Sequence, residues 1–168
     1  LLLRDLEELI QQKLDRMMYS NPQRIDYYER YREIIEAYNA EQDRATIEKT
    51  FMELMDLAGN LSCEEQRYVR EGFASDEELT LYDMLFRDDL KKGEIKRVKE
   101  VAATLLRKVK EKIAETSHWT DKERTRAEMD NLIRDTLWEE LPECYDDASV
   151  ASYGQKVYAY VYTRYKVA

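Results

Sequence analysis

The chain has 168 residues, of which 38% are charged and 43% apolar, and a formal net charge of −9 at pH 7. That length supports one domain, in one mass or two lobes, with enough buried surface to form a core without disulfides or metal. The apolar share excludes a disordered tail, and the negative balance excludes a surface that is basic all over.

Leu3, Leu6, Ile10, Leu14 and Met17 recur at steps of three and four, the spacing of an amphipathic helix. Asn21-Pro22 ends it, because proline lacks an amide hydrogen and disfavours helical geometry in the residue before it. The same pair suits the start of a second helix, with Asn21 as cap and Pro22 in first position. That helix is expected to bury Ile25, Tyr28, Tyr31, Ile35 and Tyr38. A third is expected to bury Ile47, Phe51, Leu54, Ala58 and Leu61 and to fray near Gly59-Asn60.

Three later segments, Ser62 to Glu65, Ser75 to Glu78 and Thr120 to Glu123, fit the capping box, in which a hydroxyl and a Glu three residues on exchange bonds with each other's amides. Gly72 and Gly93 are placed to end helices or bend the chain. After Gly93 the stripe is Ile95, Val98, Ala102, Leu105, Val109 and Ile113. After Thr120 it is Met129, Ile133, Leu137 and Leu141, stopped by Pro142. The segment Val157 to Tyr162 alternates like a strand, but without a sheet to join it is expected to be helical. With only four glycines and two prolines, the expectation is all-α: an irregular bundle of about seven or eight helices.

Chemistry is sparsely represented. No glycine-rich phosphate loop is present, and one His with two distant Cys does not make a zinc site. No catalytic, cofactor-binding or metal-ligating residue is assigned. Glu94-Ile95-Lys96 matches half of a metal-dependent nuclease motif, but it lies at a helix start and its type is common in so charged a chain. His118 is expected in a packing or surface role. The thirteen tyrosines fall mostly at helical spacing, as core residues do. No apolar run approaches the ~20 residues of a membrane span, and Leu1 to Leu3 is too short for a signal core. Beginning at Leu, the chain reads as a fragment of a longer one, and its cysteines fit a reduced cytoplasmic setting.

Charge is uneven. Residues 91 to 112 hold nine Lys or Arg against three Glu, an excess of six in a chain of net −9. Within it Lys92, Lys96, Lys99, Arg107 and Lys110 lie mainly opposite the buried stripe. Such a face suits a solvated surface, an acidic partner, or DNA phosphates.

Four elements follow in order: Ile34-Ile35-Glu36-Ala37-Tyr38-Asn39, then Leu79-Thr80-Leu81-Tyr82-Asp83-Met84-Leu85-Phe86, then the Val98 to Ile113 helix, then Trp119-Thr120-Asp121-Lys122-Glu123-Arg124-Thr125-Arg126-Ala127. Over roughly residues 25 to 141 this order resembles the helical C-terminal region of the R subunit of type I restriction enzymes. The segment after Ala127 departs from many relatives in being acidic on balance, which argues against DNA contact there. The resemblance implies a domain, residues 1 to 168, that is not itself an enzyme. It implies a parent subunit that translocates and cuts DNA with ATP and magnesium. The partners implied are the methyltransferase subunit, the motor domains of the same chain and, through the complex, DNA; no membrane is implied. Trp119, Lys122, Arg124 and Arg126 are the candidate partner contacts, with Trp119 either an interface anchor or a core tryptophan. The rival readings are a nucleic-acid-binding module using the basic helix and an unrelated protein adaptor.

Overall fold

The computed structural model describes residues 2–166. They form eight α-helices and one 3-10 turn, with no strand among the described residues. The chain divides into two compact units, Leu1–Asp76 and Glu77–Ala168. Leu1, part of the short apolar start, lies outside the described residues.

In the first unit α1 (Leu2–Ser20), α2 (Ile25–Ala40) and α3 (Arg44–Glu65) run up, down and up, followed by the single turn α4 (Arg67–Arg70). The directions follow from side-chain partners: Tyr31 bonds the Glu7 carbonyl, Arg30 pairs with Asp56, and Lys13 reaches Ser62. Ile10, Leu14 and Met17 of α1 meet Tyr31 and Ile34 of α2 and Leu54, Leu57 and Leu61 of α3 in one core. Asn21 does cap, accepting from the Gln23 amide at 3.0 Å, but what it caps is a 3-10 turn, Pro22–Arg24, that leads into α2.

Two stripes differ from expectation. On α2 the buried residues are Tyr31 and Ile34, and Ile25 is 42% exposed. On α3 they are Thr50, Leu54, Leu57, Leu61 and Glu64, and Ile47 is 39% exposed. Because burial continues through Leu61 and Glu64, α3 passes Gly59-Asn60 unbroken and absorbs the expected helix start at Ser62. There the Ser62 hydroxyl bonds back to the Ala58 carbonyl at 3.2 Å.

Glu64 is buried because Arg24 meets it. The Arg24 guanidinium donates to Glu64 at 2.9 Å, to Asp76 at 2.6 and 3.2 Å, and to the Met17 carbonyl at 3.5 Å. Glu64 also accepts from Arg67 at 2.8 Å and from the Tyr27 hydroxyl at 3.4 Å. With Arg24 at 3% and Glu64 at 5% exposure, these bonds compensate two charges that would otherwise be costly to bury. Burial alone would raise the Glu64 pKa, but the Arg67 and Arg24 bonds and charges outweigh it and hold the carboxyl below its ordinary value.

Gly72 closes α4 in the left-handed region, at φ 85°. The Phe73 amide returns to the Tyr68 carbonyl at 2.9 Å and the Gly72 amide to Val69 at 3.1 Å, the bond pair of a Schellman motif.

The second unit holds the body of α5 (Asp76–Leu85) with α6 (Lys92–Glu115), α7 (Glu123–Glu140) and α8 (Asp147–Arg164). Successive helices are antiparallel: Lys110 and Lys99 of α6 meet Glu77 and Tyr82 of α5, and Lys112 and Arg97 of α6 meet Glu128 and Glu140 of α7. The α7–α8 contact is close at Gly154, where a Cβ would lie 3.4 Å from the Arg134 Cγ. Leu81, Leu105, Val109, Ile133, Leu137 and Val157 are fully buried.

The start at Ser75 holds to within a residue, α5 beginning at Asp76, and Leu141-Pro142 ends α7 as expected. The tail, whose sequence alternates like a strand, is helical as expected: it forms α8, capped by Asp146, which accepts from the Ser149 amide at 2.8 Å. Gly93 does not end a helix. It lies in the first turn of α6, where Glu94 accepts from the Lys91 amide at 2.9 Å. The Thr120 box does not form either, and α7 starts at Glu123 because Thr120 is spent on the tail, its hydroxyl donating to the Lys166 carbonyl.

Candidate partner surface

Trp119 precedes α7 in a turn that passes through His118, whose φ is 54°. The His118 side chain is 74% exposed and 3.9 Å from Asp121, which places it at the surface. Trp119 is the opposite, with 0% exposure. Its indole N–H donates to the Tyr165 carbonyl at 3.2 Å, and its ring meets Tyr158 and Tyr162 edge-on, with centroids 6.2 and 5.9 Å away. The side chain therefore packs against α8, as the core reading requires, and offers no surface to a partner. Thr125 and Arg126 tie the turn to α7: the Thr125 hydroxyl donates to the Trp119 and Lys122 carbonyls, and Arg126 to the Thr120 carbonyl at 2.7 Å.

The other three candidates around Trp119 are separated from it in role. Lys122 is exposed beside the α7 start. Arg124 is 88% exposed and pairs with Glu128 at 3.1 Å. Arg126 is half-buried along a shallow groove with Glu123, Asp130, Arg134, Gln155 and Tyr158.

The basic helix is α6, and much of its charge is spent within its own unit. Arg107 pairs with Glu111 at 3.1 Å, Lys110 with Glu77 at 3.2 Å, Lys112 with Glu128 at 2.8 Å and Arg97 with Glu140 at 2.7 Å. The Lys112 and Arg124 bonds hold Glu128 below its ordinary pKa. Lys99 is half-buried, its ammonium 5.7 Å from the centre of the Tyr82 ring. Lys92 and Lys96, one turn apart and exposed, form no ion pair among the described residues. Glu94 of the partial nuclease motif acts as a helix cap, and its bonds to the Lys91 amide and Cys144 hold its carboxyl below the ordinary value. No group of three or more His, Cys, Asp or Glu positioned for a metal occurs among the described residues, and none of their helices is long and apolar enough to cross a membrane.

The structure exposes two further features that the sequence did not single out. In the first unit, an open groove of about 770 Å³ between α1 and α3 is lined by Leu2, Leu3, Ile47, Glu48, Phe51 and Met52. Along the same two helices Leu9 is 65%, Met52 69% and Met55 51% exposed. In the second unit Trp138 of α7 is 60% exposed. Each lies next in sequence to a buried residue or two away from one: Leu9 beside Ile10, Met52 and Met55 around Leu54, Trp138 beside Leu137. On a helix one step turns a side chain by about 100°, so strict bookkeeping of the stripes would have left these apolar residues outside.

No curated protein and no solved structure matches the chain. The family model described as type I restriction enzyme HindI endonuclease subunit-like, C-terminal, matches residues 1–151. That span includes α1 and reaches the start of α8, beyond the 25 to 141 marked by the motifs. On that match the chain belongs to the family of C-terminal regions of HindI-like type I restriction endonuclease subunits.

Proposed function

We propose that this chain is a protein-docking region, joining a type I restriction endonuclease subunit to the methyltransferase core of its complex in the cytoplasm. Translocation and cleavage of DNA, with their ATP and magnesium, belong in this reading to other regions of the subunit.

The observation that supports it most is the match of residues 1–151 to the C-terminal region of such a subunit. The surface favours protein over DNA as the contact. Of the α6 cations placed opposite the buried stripe, Arg107 and Lys110 are already matched by Glu111 and Glu77, and Lys112 and Arg97 of the same helix are matched by Glu128 and Glu140. Meanwhile Leu2, Leu9, Met52 and Met55 leave an apolar seam uncovered, and contiguous exposed apolar surface marks interaction sites. Methionine adds adaptability, since its unbranched thioether refits to different neighbours.

The experiment is a comparison of the intact endonuclease subunit with one lacking residues 1 to 168, each mixed with the methyltransferase core without DNA. The intact subunit is expected to assemble and the shortened one to remain separate. Equal assembly of both would rule out docking through this region.

A second reading, direct DNA contact, is favoured by one observation: Lys92 and Lys96 lie exposed one turn apart, with no ion pair among the described residues. It predicts DNA affinity that falls steeply with salt, with a shallower dependence once both lysines are replaced by alanine.

A further inference from the structure

Trp138 is the largest side chain that the second unit leaves outside its core, 60% exposed on α7. Among the described residues it has no ring partner, no cation against its face and no hydrogen bond for its indole N–H. Most of its apolar ring is therefore left uncovered by the fold of its own unit and free to be buried by another surface.

The residues around it are acidic. Asp135, one turn before Trp138, and Glu139, next to it, are both exposed and have no ion pair among the described residues. They stand four positions apart on one helix, where like charges repel. The nearest cation on the same helix does not relieve them, because Arg134 is committed to Asp130 at 3.0 Å. Some acids of the same unit, Glu77, Glu111, Glu128 and Glu140, do each hold a Lys or Arg. A bulky apolar ring flanked by two uncompensated carboxylates is thus incomplete in two respects, and one kind of surface answers both.

We infer that Trp138, with Asp135 and Glu139 beside it, is an anchor for a protein surface that offers an apolar cleft rimmed by Lys or Arg side chains. The ring fills the cleft, where exclusion of water makes tryptophan a frequent dominant contact. The carboxylates pair with the basic rim, which sets orientation and speeds encounter. A nucleic acid is disfavoured as the occupant, since phosphates would meet both carboxylates. The inference rests on the docking reading and deepens it, naming the face used and the chemistry of what it meets.

The test uses the full endonuclease subunit and the DNA-free methyltransferase core as the probe, with affinity measured at low and at high salt. Four forms are compared: unchanged, Trp138→Ala, Asp135→Asn with Glu139→Gln, and Lys92→Ala with Lys96→Ala as a control on another helix. All three sets of substituted residues are exposed, and equal thermal melting of the four forms verifies that folding is unaffected. Loss of the ring is expected to weaken binding roughly thirty-fold or more, the scale of an interface hot spot. The neutralised pair is expected to bind more weakly at low salt and to lose most of its salt dependence. The lysine control is expected to bind like the unchanged subunit.

Normal binding by the unchanged subunit and by both α7 variants would overturn this inference and leave docking itself intact. A loss confined to the lysine control would overturn it in favour of α6. Failure of even the unchanged subunit to bind would remove the docking reading and this inference together.

Discussion

Arg24 and Glu64 show how charge is handled inside the first unit. Replacing Arg24 by methionine leaves Glu64 buried at 5% exposure with fewer partners, a change expected to cost about 3–5 kcal/mol in denaturant unfolding. Replacing both by methionine is expected to recover most of that, because the incompletely compensated buried charge of Glu64, not the lost attraction, dominates the single variant. If the double variant were as unstable as the single one, packing rather than charge would be the cause. Trp119 is the corresponding residue of the second unit. At 0% exposure, Trp119→Ala is expected to cost about 3–5 kcal/mol through the cavity it leaves, and the near-UV circular dichroism of the ring should disappear with it.

Carboxylates also set the acid limit of the fold. Glu64, Glu128, Glu94, Asp43 and Asp146 all sit below their ordinary pKa values in the folded chain, Glu64 against its burial and through its arginines, Asp43 and Asp146 through backbone amides they cap. A lowered carboxylate pKa means that the unfolded chain binds protons first. Its stabilisation is complete above the unfolded value, about 4, and is lost as pH falls through the folded value. Thermal midpoints are therefore expected to be level above about pH 5 and to fall progressively below about pH 4. A midpoint that rose on acidification would contradict this assignment.

At the scale of elements, two glycines predict opposite outcomes. Gly72 has φ 85°, where a Cβ is strained, so Gly72→Ala is expected to destabilise by about 1 kcal/mol or more. Gly59 lies within α3, and an added Cβ there meets nothing within 4 Å, so Gly59→Ala is expected to stabilise by roughly 0.5–1 kcal/mol. Chemical denaturation of the two variants measures both signs. The same pair explains how far helices were legible in the sequence. Gly72 was readable as a terminator because local geometry requires it. Gly59-Asn60 and Ser62 misled because they are local signals overridden by tertiary burial, the stripe Leu54, Leu57, Leu61 and Glu64 continuing past them. Thr120 misled for a related reason: its hydroxyl is engaged by the Lys166 carbonyl, a partner 46 residues away that no window could contain. The α6 and α7 stripes were legible since Val98, Leu105, Val109, Met129, Ile133 and Leu137 keep strict helical period. The surface was less so. The burial of Trp119 depends on its packing against α8, and the pairing of α6 cations depends on acids from α5 and α7.

At the scale of the molecule, the two units present different surfaces. The first exposes an apolar seam along α1 and α3, and the second exposes one tryptophan among acids on α7. Together with membership of a restriction-endonuclease C-terminal family, they support the proposal that the chain meets protein. The most direct measurement is the affinity of this chain for the DNA-free methyltransferase core, by calorimetry at physiological salt. Saturable binding without DNA is the predicted result, with a negative heat-capacity change from burial of apolar surface. No binding until DNA is added, with an affinity that then falls steeply with salt, would contradict the account and give the chain a role on DNA.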